Sequence, residues 1–354
     1  MNRLFVLRTD GATSIGLGHV QRCLAIAQSI VERGDRVEFC LGIADVATRK
    51  VISEAGYAIT ELREEAWFDA EKICEIAGDQ PFSVLIDISH PLAVPHAPAV
   101  ALYCEELRAG GASVAVIDSM MTTCLGARVS LPVDLLVIPY SGAERQTVLD
   151  GPRHLALGVD FVIFDPSYAQ LEATASGATT RVDRLLVAAG GSDPTKAMLI
   201  CLQAIELVRD PPKHIRVIVG PGFDPELTAE IERHCAGSSL GFELIHGPKT
   251  LAQHISWCDL ALSASGLTKY ELARCGKPAL LFSIDQLHAD ANLIFCENGC
   301  AKEIGIVETL EPAYVADELT LLIADGAQRG SMSKAGRKAV DGSGSERILE
   351  LLEK

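Results

Sequence analysis

The 354-residue sequence contains no apolar run of 18 residues, so no membrane-spanning helix is expected. Its opening stretch "MNRLFVLRTD" reads as an apolar strand cut short by charge, not as a signal peptide, and a cytoplasmic location is expected. Clustered Lys and Arg are missing too. The 31 basic and 47 acidic residues give a net charge of −16, spread along the chain without an acidic tail. Binding a nucleic-acid backbone needs concentrated positive charge, so no nucleic-acid partner is expected. A small anion remains possible, because backbone amides hold one without side-chain charge.

Paired cysteine motifs are absent as well. The eleven cysteines include no C-x-x-C pair, and most fall inside apolar segments, as Cys23, Cys40 and Cys258 do. Free buried thiols in a reducing compartment are the reading. Cys296 and Cys300 are too isolated to form a zinc site, and His90, His96, His154, His214, His234 and His254 have no metal-ligand spacing. No metal and no cofactor are expected. There is no G-x-x-x-x-G-K-[ST], which argues against an ATPase of the P-loop type. The first-domain glycines also lack the full G-x-G-x-x-G and the acidic residue at the end of the second strand, which disfavours a nicotinamide enzyme.

What the chain does contain is alternation. Apolar runs at 3–8, 36–41, 83–88, 113–117 and 134–138 read as strands, with helix-like stretches near 19–33, 44–55, 66–78 and 97–110 between them. Residues 165–183, rich in small and polar side chains, read as a linker. Strands then recur near 184–189, 215–219, 242–245, 259–263 and 279–283, with helices near 195–209, 225–235, 249–256, 267–275, 288–298 and 312–325. Strand–helix repetition implies parallel sheets covered on both faces. The fold class expected is α/β, with two Rossmann-like doubly wound domains facing a cleft. Their bounds are 1–164 and 184–340, and a C-terminal helix within 341–354 is expected to pack back on the first domain.

Ligands of open parallel sheets bind beyond the carboxyl ends of the strands, so the strand exits hold the candidate residues. The first strand leaves through "TDGATSIGLGHVQRC", where Gly16 and Gly18 precede a helix and His19 stands in its first turn. The positive end of a helix disfavours imidazolium, and a neutral histidine beside a cleft suits a general base. A capped turn in which His19 only bonds backbone fits the spacing equally well. The exit of "SVLIDI" carries Asp87, Ser89 and His90, and the next exit carries Asp118 and Ser119.

The second half opens with "VAAGGSDPTKAM". Gly190 and Gly191 follow a strand, and Ser192 or Asp193 is expected to cap a helix with Pro194 at its first position. A similar exit, "SASGLTKYELARCG", offers Ser265, Gly266 and Thr268 to a diphosphate and Glu271 to a ribose diol. His246 at the end of "FELIH" could line a base pocket. Asp285, Gln286 and His288 follow "ALLFS" near the same rim.

These stretches together carry a resemblance. "RTDGATSIGLGHVQRCLAIAQSIVERGDRVEF", "AAGGSDPTKAM", "SASGLTKYELARCGKPALL", "IDQ" and "DGSGSERI" resemble, in the same order, segments of the pseudaminic-acid pathway hydrolases. That family acts on UDP-2,4-diacetamido-2,4,6-trideoxy-β-L-altropyranose and is related to the spore-coat polysaccharide SpsG proteins. More distantly the chain is similar to glycosyltransferases of the GT-B fold, including the one that makes lipid II. The resemblance implies two Rossmann-like domains, with UDP held by the second and the sugar placed toward the first. It also implies that His19 is the base for a water attacking the anomeric carbon, that Glu271 holds the ribose, and that Ser265, Gly266 and Thr268 meet the diphosphate.

Four positions depart from the family pattern. Ser89 and His90 stand where a Tyr is usual, Asp285 replaces the Asn of an N-Q pair, Asp118–Ser119 replaces an acidic pair, and Asp165 stands where an Arg is expected. UDP binding survives these changes better than sugar identity. The expectation is a UDP-sugar hydrolase releasing UDP and a free amino-deoxy sugar. The alternatives are a GT-B glycosyltransferase using an acceptor and a non-catalytic nucleotide-sugar binding protein.

Overall fold

The computed structural model describes residues 2–12, 18–62, 68–88, 96–118, 125–168, 171 and 181–354. Two compact units form, one from Met1–Pro166 together with Gly342–Lys354, the other from Ser167–Asp341.

The first unit is built on a seven-stranded sheet. Its strands are β1 (Leu4–Gly11), β2 (Arg36–Ala44), β3 (Ala58–Glu61), β4 (Phe82–Asp87), β5 (Ser113–Ile117), β6 (Leu135–Ile138) and β7 (His154–Leu157), in the order β3-β2-β1-β4-β5-β6-β7. Each adjacent pair is parallel. The described helices are α1 (Gly18–Glu32), α2 (Val46–Glu54), α3 (Ala70–Ala77) and α4 (Ala97–Ala109). All eight residues of β1 are buried, as a central strand covered on both faces requires. Helix α1 covers it with Val20, Cys23, Ile26, Ala27 and Ile30, a stripe at helical spacing that joins Phe5, Leu7, Phe39 and Leu85 in the core.

The second unit holds a six-stranded parallel sheet. Its strands are β8 (Arg184–Ala188), β9 (His214–Val219), β10 (Phe242–His246), β11 (Leu260–Ala264), β12 (Ala279–Ser283) and β13 (Lys302–Ile306), in the order β10-β9-β8-β11-β12-β13. Its helices are α5 (Ala197–Leu207), α6 (Pro225–Gly237), α7 (Ala252–Trp257), α8 (Thr268–Arg274), α9 (Gln286–Glu297), α10 (Pro312–Ala324) and α11 (Gly326–Ala339). Leu185, Val187, Met198, Leu262, Leu280, Phe282 and Leu319 form the centre of its core.

Both sheets reverse direction once. In the first unit the chain winds outward from β1 through β2 to β3, then returns to β4 on the other side of β1, so the exits of β1 and β4 diverge. The same happens at β8 and β11 in the second. Such switch points leave a crevice at the carboxyl edge of a parallel sheet.

The last helix, α12 (Gly344–Leu352), belongs to the first unit. Ile348, Leu349 and Leu352 join the core of that unit, and Arg347 Nη1 donates to the carbonyl of Asp160 at 2.9 Å. The helix starts against backbone. A Cβ added at Gly344 would come within 2.2 Å of the Val162 carbonyl oxygen and 2.7 Å of the Phe161 carbonyl carbon. Gly344→Ala should therefore displace α12 and cost about 1–3 kcal/mol, the range for overpacking at a site that cannot yield. Urea denaturation followed by circular dichroism measures this, and a midpoint equal to wild type would disprove the backbone clash.

Candidate functional site

Three side chains meet at the switch point of the first unit. The register of β1 against β4 sets Thr9 opposite Asp87, the last residue of β4, and α1 begins one residue before His19. His19 Nδ1 lies 2.6 Å from Asp87 Oδ1. Arg22, one turn further along α1 and on its buried face, donates from Nε to Asp87 Oδ2 and from Nη2 to Oδ1, both at 2.8 Å. Asp87 has no exposed side-chain surface, and Arg22 and His19 retain 6% and 15% of theirs. Burial alone would raise the Asp87 pKa; Arg22, then His19, outweigh it and hold the carboxyl below its ordinary value. Burial opposes the charge on Arg22 as well, and Asp87 more than restores it.

This geometry assigns the tautomer of His19. A ring nitrogen 2.6 Å from a carboxylate oxygen is placed to donate, so in the neutral ring Nδ1–H donates to Asp87 and Nε2 keeps the lone pair. The adjacent Cys23 thiol is pushed up by burial and then by Asp87, so it stays protonated. Arg8 and Asp10 form a second buried ion pair at the exit of β1, at 2.7 Å, and Asp10 Oδ1 also accepts from the amide of Ile43. Asp118 follows β5 and accepts from the amide of Leu125. Gly18 is exposed, with open space around a hypothetical Cβ. Gly16, Ser89 and His90 lie outside the described residues.

In the second unit, Gly190, Gly191 and Ser192 leave β8 exposed to solvent, and a Cβ on either glycine would meet open space. Gly190 has φ +82°, which suits glycine, and Gly222 N donates to Gly191 O at 2.9 Å. The helix expected to begin at Pro194 begins at Ala197 instead. Asp193, buried and with φ +44°, accepts from the amides of Ala197 and Met198 at 2.8 and 2.9 Å. Its carboxylate occupies the place a phosphate would take at the start of α5. Pro194 therefore lies in the turn and not in the helix.

The β11 exit is organised differently. Ser265 Oγ lies 3.1 Å from Ser283 Oγ, and Ser283 donates to Glu303 Oε1 at 2.7 Å. Asn292 Nδ2 donates to Ser283 and to Glu303 Oε2, and the buried Lys269 Nζ donates to Asn292 Oδ1 at 2.5 Å. Because the single Ser283 proton goes to Glu303, Ser265 is the donor to Ser283. The Ser265 hydroxyl is then not free to donate outward. The helix that follows, α8, has no side-chain cap, and the amides of its first turn precede the first helical bonds. Burial lowers the Lys269 pKa to about 8 and raises that of Glu303.

Glu271 faces the buried hydroxyl of Tyr168, whose pKa is pushed up by burial and then by Glu271. Asp285 caps α9, accepting from the His288 amide and from His288 Nδ1 at 2.8 and 2.7 Å, while Gln286 Nε2 donates to Asp290. His246 ends the edge strand β10, two strands from the switch point, half exposed and 3.6 Å from Glu232. Asp285 thus stands at the exit of β12, the neighbour of β11, and His246 at the exit of β10. Among the described residues no group of His, Cys, Asp and Glu could hold a metal, and no helix is long and apolar enough to cross a membrane. The described cysteines are free thiols; burial pushes Cys40, Cys104 and Cys258 up to about 12.

Arg22 was not among the residues the sequence singled out. Its signal was present, since position i+3 from His19 lies on the same helix face. The Lys269–Asn292–Glu303 network was missed because β13 is short and gave no strand pattern.

No family model matches the sequence. The chain is similar to the spore coat polysaccharide biosynthesis protein SpsG of Bacillus subtilis, with 24% identity over 217 residues. That match covers 60% of this chain and 62% of the relative. The structure is similar to MurG of Acinetobacter baumannii, with a TM-score of 0.70, 14% identity and 99% of each chain covered. It is also similar to the UDP-GlcNAc 2-epimerase of Neisseria meningitidis bound to UDP-GlcNAc, with a TM-score of 0.61, 14% identity and 99% of each chain covered. The two parallel-sheet units thus match the GT-B architecture of glycosyltransferases such as MurG.

Asp87 sets a pH dependence of stability. Its pKa in the fold lies below the ordinary 3.8, so the stabilisation it gives is complete above that value and is lost as pH falls through the lower one. Asp87→Asn leaves Arg22 buried without its carboxylate and should cost about 3 kcal/mol or more near neutral pH. The gap between wild type and variant in urea denaturation should shrink below about pH 4. A gap constant with pH would mean that Asp87 is not ionised in the fold.

Proposed function

We propose that the protein is a nucleotide-sugar enzyme, a hydrolase that releases UDP and a free amino-deoxy sugar. The observation that carries this reading is the His19–Asp87 pair, 2.6 Å apart at a sheet switch point, with the Nε2 lone pair of the imidazole left unengaged by it. A histidine so held is built to take a proton from an oxygen nucleophile. Water attacks the anomeric carbon as its proton passes to Nε2, a C–O bond forms, and the bond from that carbon to the β-phosphate oxygen breaks. Both electrons of the broken bond leave with UDP.

The nucleotide is assigned to the second unit. The exposed Gly190–Gly191 loop and the uncapped first turn at Gly266, Leu267 and Thr268 are suited to close backbone approach and to anionic oxygens. The Thr268 hydroxyl adds a donor. In this reading Ser265 shapes the turn through Ser283, and Glu271, oriented by Tyr168, accepts the ribose hydroxyls. The UDP-GlcNAc carried by one structural neighbour and the polysaccharide pathway named for SpsG favour a UDP-sugar in surface-polysaccharide or nonulosonic-acid synthesis. Asp285 and Gln286, held in place by their partners on α9, keep the sugar-side role in this proposal.

The test is UDP release from a panel of UDP-sugars, including UDP-2,4-diacetamido-2,4,6-trideoxy-β-L-altropyranose, with and without sugar or lipid-linked acceptors. Acceptor-independent release is expected. His19→Ala should lower it by about 10²- to 10⁴-fold, the usual range for loss of a general base, while the Kd for UDP measured by calorimetry stays within about twofold. Glu271→Ala should do the reverse, weakening UDP binding. Release that requires an acceptor would make the protein a glycosyltransferase, and UDP binding without turnover would make it a binding protein.

A further inference from the structure

A histidine–carboxylate pair needs only a hydrogen bond to fix the ring, yet a second charge stands beside this one. Arg22 Nη2 approaches His19 Nδ1 at 2.8 Å while donating to the same carboxylate oxygen that Nδ1–H donates to. The guanidinium has no lone pair, and Nδ1 already carries a proton, so the contact between the two nitrogens is not a hydrogen bond. It is the close approach of a full positive charge to the imidazole, held there by the two bonds to Asp87.

The consequence is electrostatic. A buried carboxylate 2.6 Å from an imidazole, acting alone, favours the imidazolium. An imidazolium cannot accept a proton from a nucleophile. We propose that Arg22 is a positioning residue for the His19 base: its charge cancels that of Asp87 at the ring. Asp87 is left to fix the Nδ1–H tautomer without drawing a second proton onto Nε2. The proposal rests on the reading of His19 as a base.

The other charged groups nearby do not supply this cancellation. On α1, Cys23 is held in its neutral thiol form by burial. On β1, Arg8 and Asp10 neutralise each other at 2.7 Å. Beyond β5, Asp118 acts on Arg22 and adds negative charge, which increases the need for the guanidinium.

The test is histidine-selective ¹⁵N NMR of the full chain without ligand, with the His19 signals assigned by their loss in His19→Gln. In wild type, Nδ1 should show the shift of a protonated nitrogen and Nε2 that of an unprotonated one. In Arg22→Met the titration midpoint of His19 should rise by about one pH unit or more, a tenfold gain in proton affinity. Arg22→Lys, which keeps the charge and loses the fork, should return most of the way to the wild-type midpoint. Asp87→Asn should move the midpoint down, so whichever of the two neutralising variants folds decides the sign. A midpoint unmoved in the folded variant, or a wild-type ring protonated on Nε2 and not Nδ1, would overturn the proposal. The titration uses no substrate, so it fails or succeeds independently of the UDP-release assay.

Discussion

The ion pair between Asp87 and Arg22 is the contact on which the organisation of the first unit's carboxyl edge depends. A carboxylate with no exposed surface is costly to ionise, and it is tolerated here because a fork of two N–H donors meets both of its oxygens. Arg22 reaches Asp87 only if α1 begins where it does and lies on β1 with Val20, Cys23 and Ile26 buried. That same start carries His19 to the carboxylate. The orientation of His19 thus follows from the helix packing against β1, the parallel register of β1 with β4, and a charge pair that ties them together.

The second unit has the same winding but uses its acidic residues differently. Asp193 and Asp285 place their own carboxylates on the first amides of α5 and α9, filling positions where an external anion would otherwise be stabilised. The β11 exit is left distinct. No carboxylate caps α8, and the polar side chains beneath it face inward to a closed network of Ser265, Ser283, Asn292, Glu303 and Lys269. A network whose members are mutually satisfied holds its turn rigidly. Of the three helix starts at these exits, only that of α8 lacks a capping carboxylate, which is why the proposed diphosphate site is placed there.

Much of this architecture was legible in the sequence. The central strands are continuous apolar runs bounded by turn residues, and β1, β4, β8 and β11 stand near the positions that pattern assigns. The missing strands, β3, β7 and β13, are four or five residues long and carry polar side chains, as edge positions permit. Site residues followed the same division. Gly18, His19 and Asp87 could be named because strand exits can be named. Arg22 was less visible: its place on the His19 face of α1 could be read, but its partner is 65 residues away and only the β1–β4 register brings it near. Asp285 shows the converse: a motif position gives no warning that its carboxylate also accepts from a local amide.

The charge balance around His19 also bears on the kind of bond that the proposed hydrolase would break. Enzymes that cleave ordinary glycosides expel an alkoxide, and they need a protonated acid on the leaving oxygen as well as a base or nucleophile, commonly two carboxyl groups. A nucleoside diphosphate is a stable anion and leaves without being protonated. It needs donors for its oxygens, a role the proposed function gives to the uncapped turn at Gly266–Thr268. What remains is to deprotonate the incoming hydroxyl, which calls for one imidazole free to take a proton. A histidine oriented by Asp87 but shielded from its charge by Arg22 meets that requirement, and a histidine facing an unpaired carboxylate would meet it less well.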